Sequence, residues 1–154
     1  MLFALGTCGP GEDLSLSPPT PGPADGRHFG YIRSVDVVGR TLSIDMAEFL
    51  TGDAADKAAA DAGEIAPGED VPNDYFIDNG EEEYVTLPLT RNVGVRVVGD
   101  PPELVDGEFE PFAEAFTKRP DEIEPDSRYR GVTSQYWLTV RDGEVAEIEE
   151  QYLP

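Results

Sequence analysis

A single cysteine, Cys8, makes an intramolecular disulfide impossible, so no disulfide framework holds this chain together. A single histidine, His28, excludes any site that needs two imidazoles, and with Cys8 on a Pro/Gly-rich tail the usual zinc ligand sets are missing. Cations are scarce: 11 Lys and Arg stand against 32 Asp and Glu, for a formal net charge of −21. Those cations are scattered and form no basic stripe, which argues against nucleic acid or an anionic membrane surface as a partner of the folded part. No apolar run approaches the ~20 residues of a membrane-spanning helix. Gly-x-Ser-x-Gly and Gly-rich phosphate loops are also missing, since Gly9 and Gly11 belong to the tail. Carboxylates are so numerous that no single pair of them marks a glycoside hydrolase.

The 154 residues suit one domain, and a hydrophobic share of 39% supports a modest core. Nine of the 11 cations are Arg and two, Lys57 and Lys118, are Lys; with abundant Ala, Gly, Asp and Glu this reads as coding bias or salt adaptation. The N-terminal MLFALGT runs directly into Cys8, and Leu5-Gly6-Thr7-Cys8 resembles the lipobox of bacterial lipoprotein signals, with Thr7 a departure from the usual small residue. Seven residues are short for a complete signal, so further apolar residues preceded by Lys or Arg are expected upstream. Residues Gly9 to Gly26 are dominated by Gly, Pro and Ser and read as a partly extended linker. The expected layout is therefore 1–26 as lipobox-like segment and linker, with Cys8 as the lipidation site, followed by one β-rich domain over 27–154.

From His28 onward the chain alternates polar and apolar residues with period two. Phe29 to Val38 and Thr41 to Met46 read as a first hairpin around Gly39-Arg40, with Leu42, Ile44 and Met46 facing one way. Ala54 to Gly63 reads as a short alanine-rich helix with Asp53 at its start. Asp74 to Asp78 reads as a strand turning at Asn79-Gly80 into Tyr84 to Leu87, with Pro88 at an edge or strand end. Arg91-Asn92 reads as a turn into Val93 to Val98. Phe109, Phe112, Ala113 and Phe116 mark one face of a helix over Glu108 to Thr117. Asp142-Gly143 joins Ser134 to Arg141 and Glu144 to Tyr152 in the clearest hairpin of the chain. The fold class is mainly β (α+β): a small antiparallel sheet or partly open barrel of about seven strands with two short helices.

Two places are candidate sites. Asp70, Asp74, Asp78, Glu81, Glu82 and Glu83 form the densest acidic stretch, a candidate Ca²⁺ site although its spacing is not that of an EF-hand. Tyr136, Trp137 and Tyr152, at the ends of the last hairpin, are a candidate aromatic binding surface for carbohydrate, peptide or protein. The segments HFGYIRSVD (His28 to Asp36), LSIDMAEFLTGDAA (Leu42 to Ala55), DYFIDN (Asp74 to Asn79) and YWLTVRDGEVAEIEEQYLP (Tyr136 to Pro154) resemble uncharacterised exported or lipid-anchored bacterial proteins. That resemblance implies export and brings no activity with it. The functional expectation is a non-enzymatic, lipid-anchored binding or interaction module at the cell envelope. The alternatives are a hydrolase acting through carboxylates, and an acidic protein that meets a basic partner or a divalent cation.

Overall fold

The period-two alternation sorts side chains onto the two faces of a curled sheet. The computed structural model describes residues 22–153; Cys8, the lipobox-like segment and most of the linker lie outside the described residues. Seven strands appear: β1 (Gly26–Asp36), β2 (Thr41–Thr51), β3 (Tyr75–Asp78), β4 (Tyr84–Val98), β5 (Leu104–Asp106), β6 (Tyr136–Arg141) and β7 (Glu144–Glu150). Two α-helices accompany them, α1 (Asp53–Asp61) and α2 (Phe109–Ala115). The strands lie in the order β3-β2-β1-β6-β7-β4-β5, and a further pairing of β2 with β4 closes five of them into a partial barrel. Ile32, Leu42, Ile44, Leu87, Leu89, Val97, Leu138, Val140, Val145 and Ile148 fill its interior.

Counted along the chain, the barrel strands β1, β2, β4, β6 and β7 run round the closure as first, second, third, fifth, fourth. Every neighbouring pair is antiparallel except β4 with β7. The helix α2 falls in the crossover between the third and fourth strands. This is the connectivity of the five-stranded Greek-key barrel called the OB fold, and a shared connectivity carries no function by itself. Phe112 of α2 and Phe116, the residue that caps it, meet the ring of Tyr136 at 5.5 and 5.8 Å. The Tyr136 hydroxyl donates to the carbonyl of Gly131 at 2.9 Å, so its one polar atom is satisfied inside the core.

Several expected turns rearrange. Asn79-Gly80 does not make a hairpin, because β3 pairs with Glu48–Thr51 of β2 while Tyr84 to Pro88 of β4 pair with Thr41–Asp45 of the same strand. β2 is 11 residues long, so one of its edges accommodates both partners in succession. Arg91-Asn92 is not a turn either, since β4 runs unbroken for 15 residues. Its register against β7 shifts between Leu89 and Gly94, and the Arg40 guanidinium donates to the carbonyls of Thr90 and Arg91. Pro88 stands inside this strand but at the last position of the β2 ladder, where its missing N–H costs little. Asp142-Gly143 does form the expected hairpin, with φ of 53° and 76° as a two-residue turn of this kind requires. The carboxylate of Asp25 accepts the backbone N–H groups of Asp142 and Gly143 at 2.9 and 3.1 Å, which ties the chain just ahead of β1 to this turn.

Close packing of β1 on β2 depends on Gly30. A Cβ there would sit well inside contact distance of the Asp45 carbonyl oxygen, which belongs to the neighbouring backbone and cannot swing aside. At Gly94 the nearest atoms to such a Cβ are at ordinary van der Waals distance. Gly30→Ala should therefore cost about 2 kcal/mol or more in denaturant unfolding, while Gly94→Ala should stay within about 0.5 kcal/mol of the parent. Equal effects at both positions would contradict the packing assigned to Gly30.

Candidate functional site

A broad concavity follows from the outward-facing residues of β1, β2 and β6. Leu42, Ile44 and Met46 share one side of β2, so Phe49 falls on the other; in β6, Leu138 and Val140 turn inward and Trp137 outward. The pairings Phe29↔Ala47 and Phe29↔Trp137 then set three aromatic rings side by side on the outside of the barrel. Phe29 meets Trp137 at 5.0 Å and Phe49 at 5.2 Å, and the ring of Tyr75 stacks on Phe49 at 5.3 Å. Phe29 is itself only 3% exposed, covered by the partly exposed rings around it. Over this floor lies a groove of about 830 Å³, walled by Met46 to Leu50 on one side and by Asp78 to Glu81 and Glu83 on the other.

The groove exists because β2 exchanges partners along one edge. The last β4 pair is Asp45↔Tyr84 and the first β3 pair is Glu48↔Asp78, and the intervening loop 79–83 spans the fork. Asp45, wholly buried, sits at that fork. Its Oδ2 accepts from Arg33 Nη2 at 2.9 Å and from Asn79 Nδ2 at 3.2 Å, and its Oδ1 accepts from the Glu83 backbone N–H at 3.1 Å. The Met46 N–H donates to the Glu83 carbonyl at 2.9 Å. The pairing of β1 with β2 slips between Ile32 and Ser34, and this bulge directs Arg33 outward toward the carboxylate. Burial alone would raise the carboxyl pKa, but hydrogen bonds from Arg33, Asn79 and Glu83 outweigh it and hold the group below its ordinary value.

Trp137 is oriented from the other side. Its Nε1 donates to Gln151 Oε1 at 2.7 Å, and the Arg27 guanidinium lies 4.4 Å from the ring centroid while pairing with Glu149 at 3.0 Å. His28 Nε2 lies 2.7 Å from the Ala24 carbonyl oxygen. A second buried carboxylate, Glu150, accepts from the Val98 N–H and the Ser134 hydroxyl, each at 2.8 Å, and from Arg130 at 3.3 Å.

The residues singled out from sequence fall in several places. Trp137 belongs to the groove, and together with Tyr152 it also lines a smaller hollow of about 180 Å³. Tyr136 lies inside the barrel at 1% exposure, because adjacent residues of a strand point to opposite faces. Of the acidic stretch, Asp78, Glu81 and Glu83 line the groove, while Asp70, Asp74 and Glu82 do not. Among the described residues no three His, Cys, Asp or Glu side chains converge as metal ligands would. Sequence reasoning missed Phe29, Phe49 and Asp45. Phe49 stands out of phase with Leu42, Ile44 and Met46, which is the signal that would have placed it outside the barrel. Compared with known proteins, the chain matches no family model, no curated protein and no solved structure.

The depressed pKa of Asp45 makes its contribution pH-dependent with a fixed sign. A carboxyl whose folded value lies below its unfolded value stabilises the fold above the unfolded pKa of about 3.9, and that stabilisation disappears as pH falls through the folded value. Asp45→Asn should cost about 2 kcal/mol in denaturant melts near neutral pH. The gap to the parent should close progressively below about pH 5. A gap that stays constant down to pH 2 would contradict a charged Asp45 at the fork.

Proposed function

We propose that this chain is a binding module of the cell envelope whose ligand lies along the groove between β2, β3 and the 79–83 loop. The observation that carries the reading is the aromatic floor formed by Phe29, Phe49 and Trp137 on the outside of a barrel whose interior is already filled. A cluster of large rings outside a completed core, set in a concavity of this volume, is the usual chemistry of a recognition site. The acidic rim disfavours oligonucleotide as ligand despite the barrel's connectivity. The envelope location rests on the lipobox-like Leu5 to Cys8 and the Pro/Gly/Ser composition that follows. Acylation at Cys8 would set the module on a tether.

A two-dimensional NMR screen of the full chain against a mixed library of small aromatic, sugar and amine fragments tests the reading. Shifts should concentrate on Glu48, Phe49, Asn79, Gly80 and the Trp137 indole, and Phe49→Ala should reduce them. Shifts confined to other faces, or none from any fragment, would contradict a recognition groove here.

A further inference from the structure

We propose that the groove recognises an extended, cationic peptide segment, whose Lys or Arg side chains lie over the aromatic floor with their charges among the rim carboxylates. This rests on the groove being a binding site, and it adds the chemistry of the ligand. Two independent features favour a cation. Four acidic residues, Glu48, Asp78, Glu81 and Glu83, line the groove, against one guanidinium, Arg27, which pairs with a Glu149 that it shares with Arg96. The floor consists of aromatic faces, whose negative quadrupole attracts ammonium and guanidinium groups. The chain already uses that attraction, since Arg27 lies over Trp137 in this way, and Phe49 is partly exposed in the groove lining with Tyr75 stacked on one face.

Asn79, whose Nδ2 donates to Asp45, stands in the same wall as Asp78 and Glu81. An anionic ligand would face four acidic residues. A neutral sugar would lie on the floor, but it would leave the charge of the rim unused. The groove is also a trough beside β2 rather than an enclosed chamber, which suits an extended chain.

Trp137 is the one tryptophan of the protein and lines both the groove and the smaller hollow beside Tyr152, so its emission reports binding at either, and the groove variants assign the response. The full chain is titrated with an acetylated, amidated pentapeptide of alternating Gly and Lys, with the same peptide carrying Glu in place of Lys, and with maltohexaose. The lysine peptide should give a saturable change at Trp137 that weakens with added salt. Glu48→Gln combined with Glu81→Gln should weaken that binding about tenfold. The charge-matched pair Glu110→Gln and Glu144→Gln, both exposed and outside the groove, should leave it within about twofold. Equal weakening by both pairs would overturn the proposal in favour of diffuse attraction to a polyanion. A response to maltohexaose or to the Glu peptide without one to the lysine peptide would overturn the cationic ligand and leave the binding module standing. No response to any probe would overturn the cationic ligand, and the binding reading falls with it only if the fragment screen is also empty.

Discussion

One edge of β2 serves two strands, and the rest of the molecule is arranged around that division. Its first half, Thr41–Asp45, pairs with β4 and closes the barrel; its second half, Glu48–Thr51, pairs with β3 and carries a lateral extension. On one face of that extension α1 packs through Ala55 and Ala59 against Leu50, Phe76 and Val71. Phe49, on the other face, lines the groove, with Tyr75 stacked on it. A strand that changes partner mid-course leaves a fork where neither ladder is complete, and unpaired backbone at such a point has to be satisfied locally. Asp45 satisfies one such group, the Glu83 N–H, and is held by the side chains of Arg33 and Asn79, so the residue that makes the fork tenable also fixes one wall of the groove.

The electrostatics follow a consistent division. A net charge of −21 leaves most carboxylates facing water, where they repel one another. Three carboxylates with little or no exposed side chain, Asp45, Glu149 and Glu150, each meet an arginine: Arg33 for the first, Arg27 and Arg96 for the second, and Arg130 for the third. Breaking such a buried pair is costly because it strands a charge, and the planar fork of Arg satisfies a carboxylate where the point charge of Lys does so less well. Arg40 and Arg128 are used differently, donating to backbone carbonyls of Thr90, Arg91 and Asp106. The preference for Arg over Lys, which as composition suggests only coding bias or salt adaptation, thus has a structural use at six positions.

The sequence made local features legible and left their assembly obscure. Alternation in β1 and β2, the alanine-rich α1, the phenylalanine stripe of α2 and the Asp142-Gly143 turn are written in short-range chemistry, and all appear. The expected number of strands also agrees, though for partly different strands: the two segments around Arg91-Asn92 are one, and Leu104–Asp106 adds a short strand beside β4. Asn79-Gly80 misled because a turn-forming dipeptide specifies a bend and not which strand pairs afterwards; a long-range ladder with β2 decided that. The groove itself was half visible. Trp137 was identifiable as an aromatic of interest, but joining it with Phe29 and Phe49 requires the register of three strands. Asp45 looks like an ordinary outward polar residue of β2, and its burial follows only from the bulge at Arg33 and the loop folded over it.

The central claim is that Asp45 pins the 79–83 loop to the fork of β2 and thereby holds the groove open in its present shape. Residue-resolved amide hydrogen exchange on the parent and on Asp45→Ala tests this most directly. The account predicts that protection at the Glu83 and Met46 amides falls together in the variant, while Leu138 and Ile148 inside the barrel keep protection in proportion to the remaining global stability. Unchanged protection at Glu83 and Met46, or a uniform loss across every strand, would contradict it.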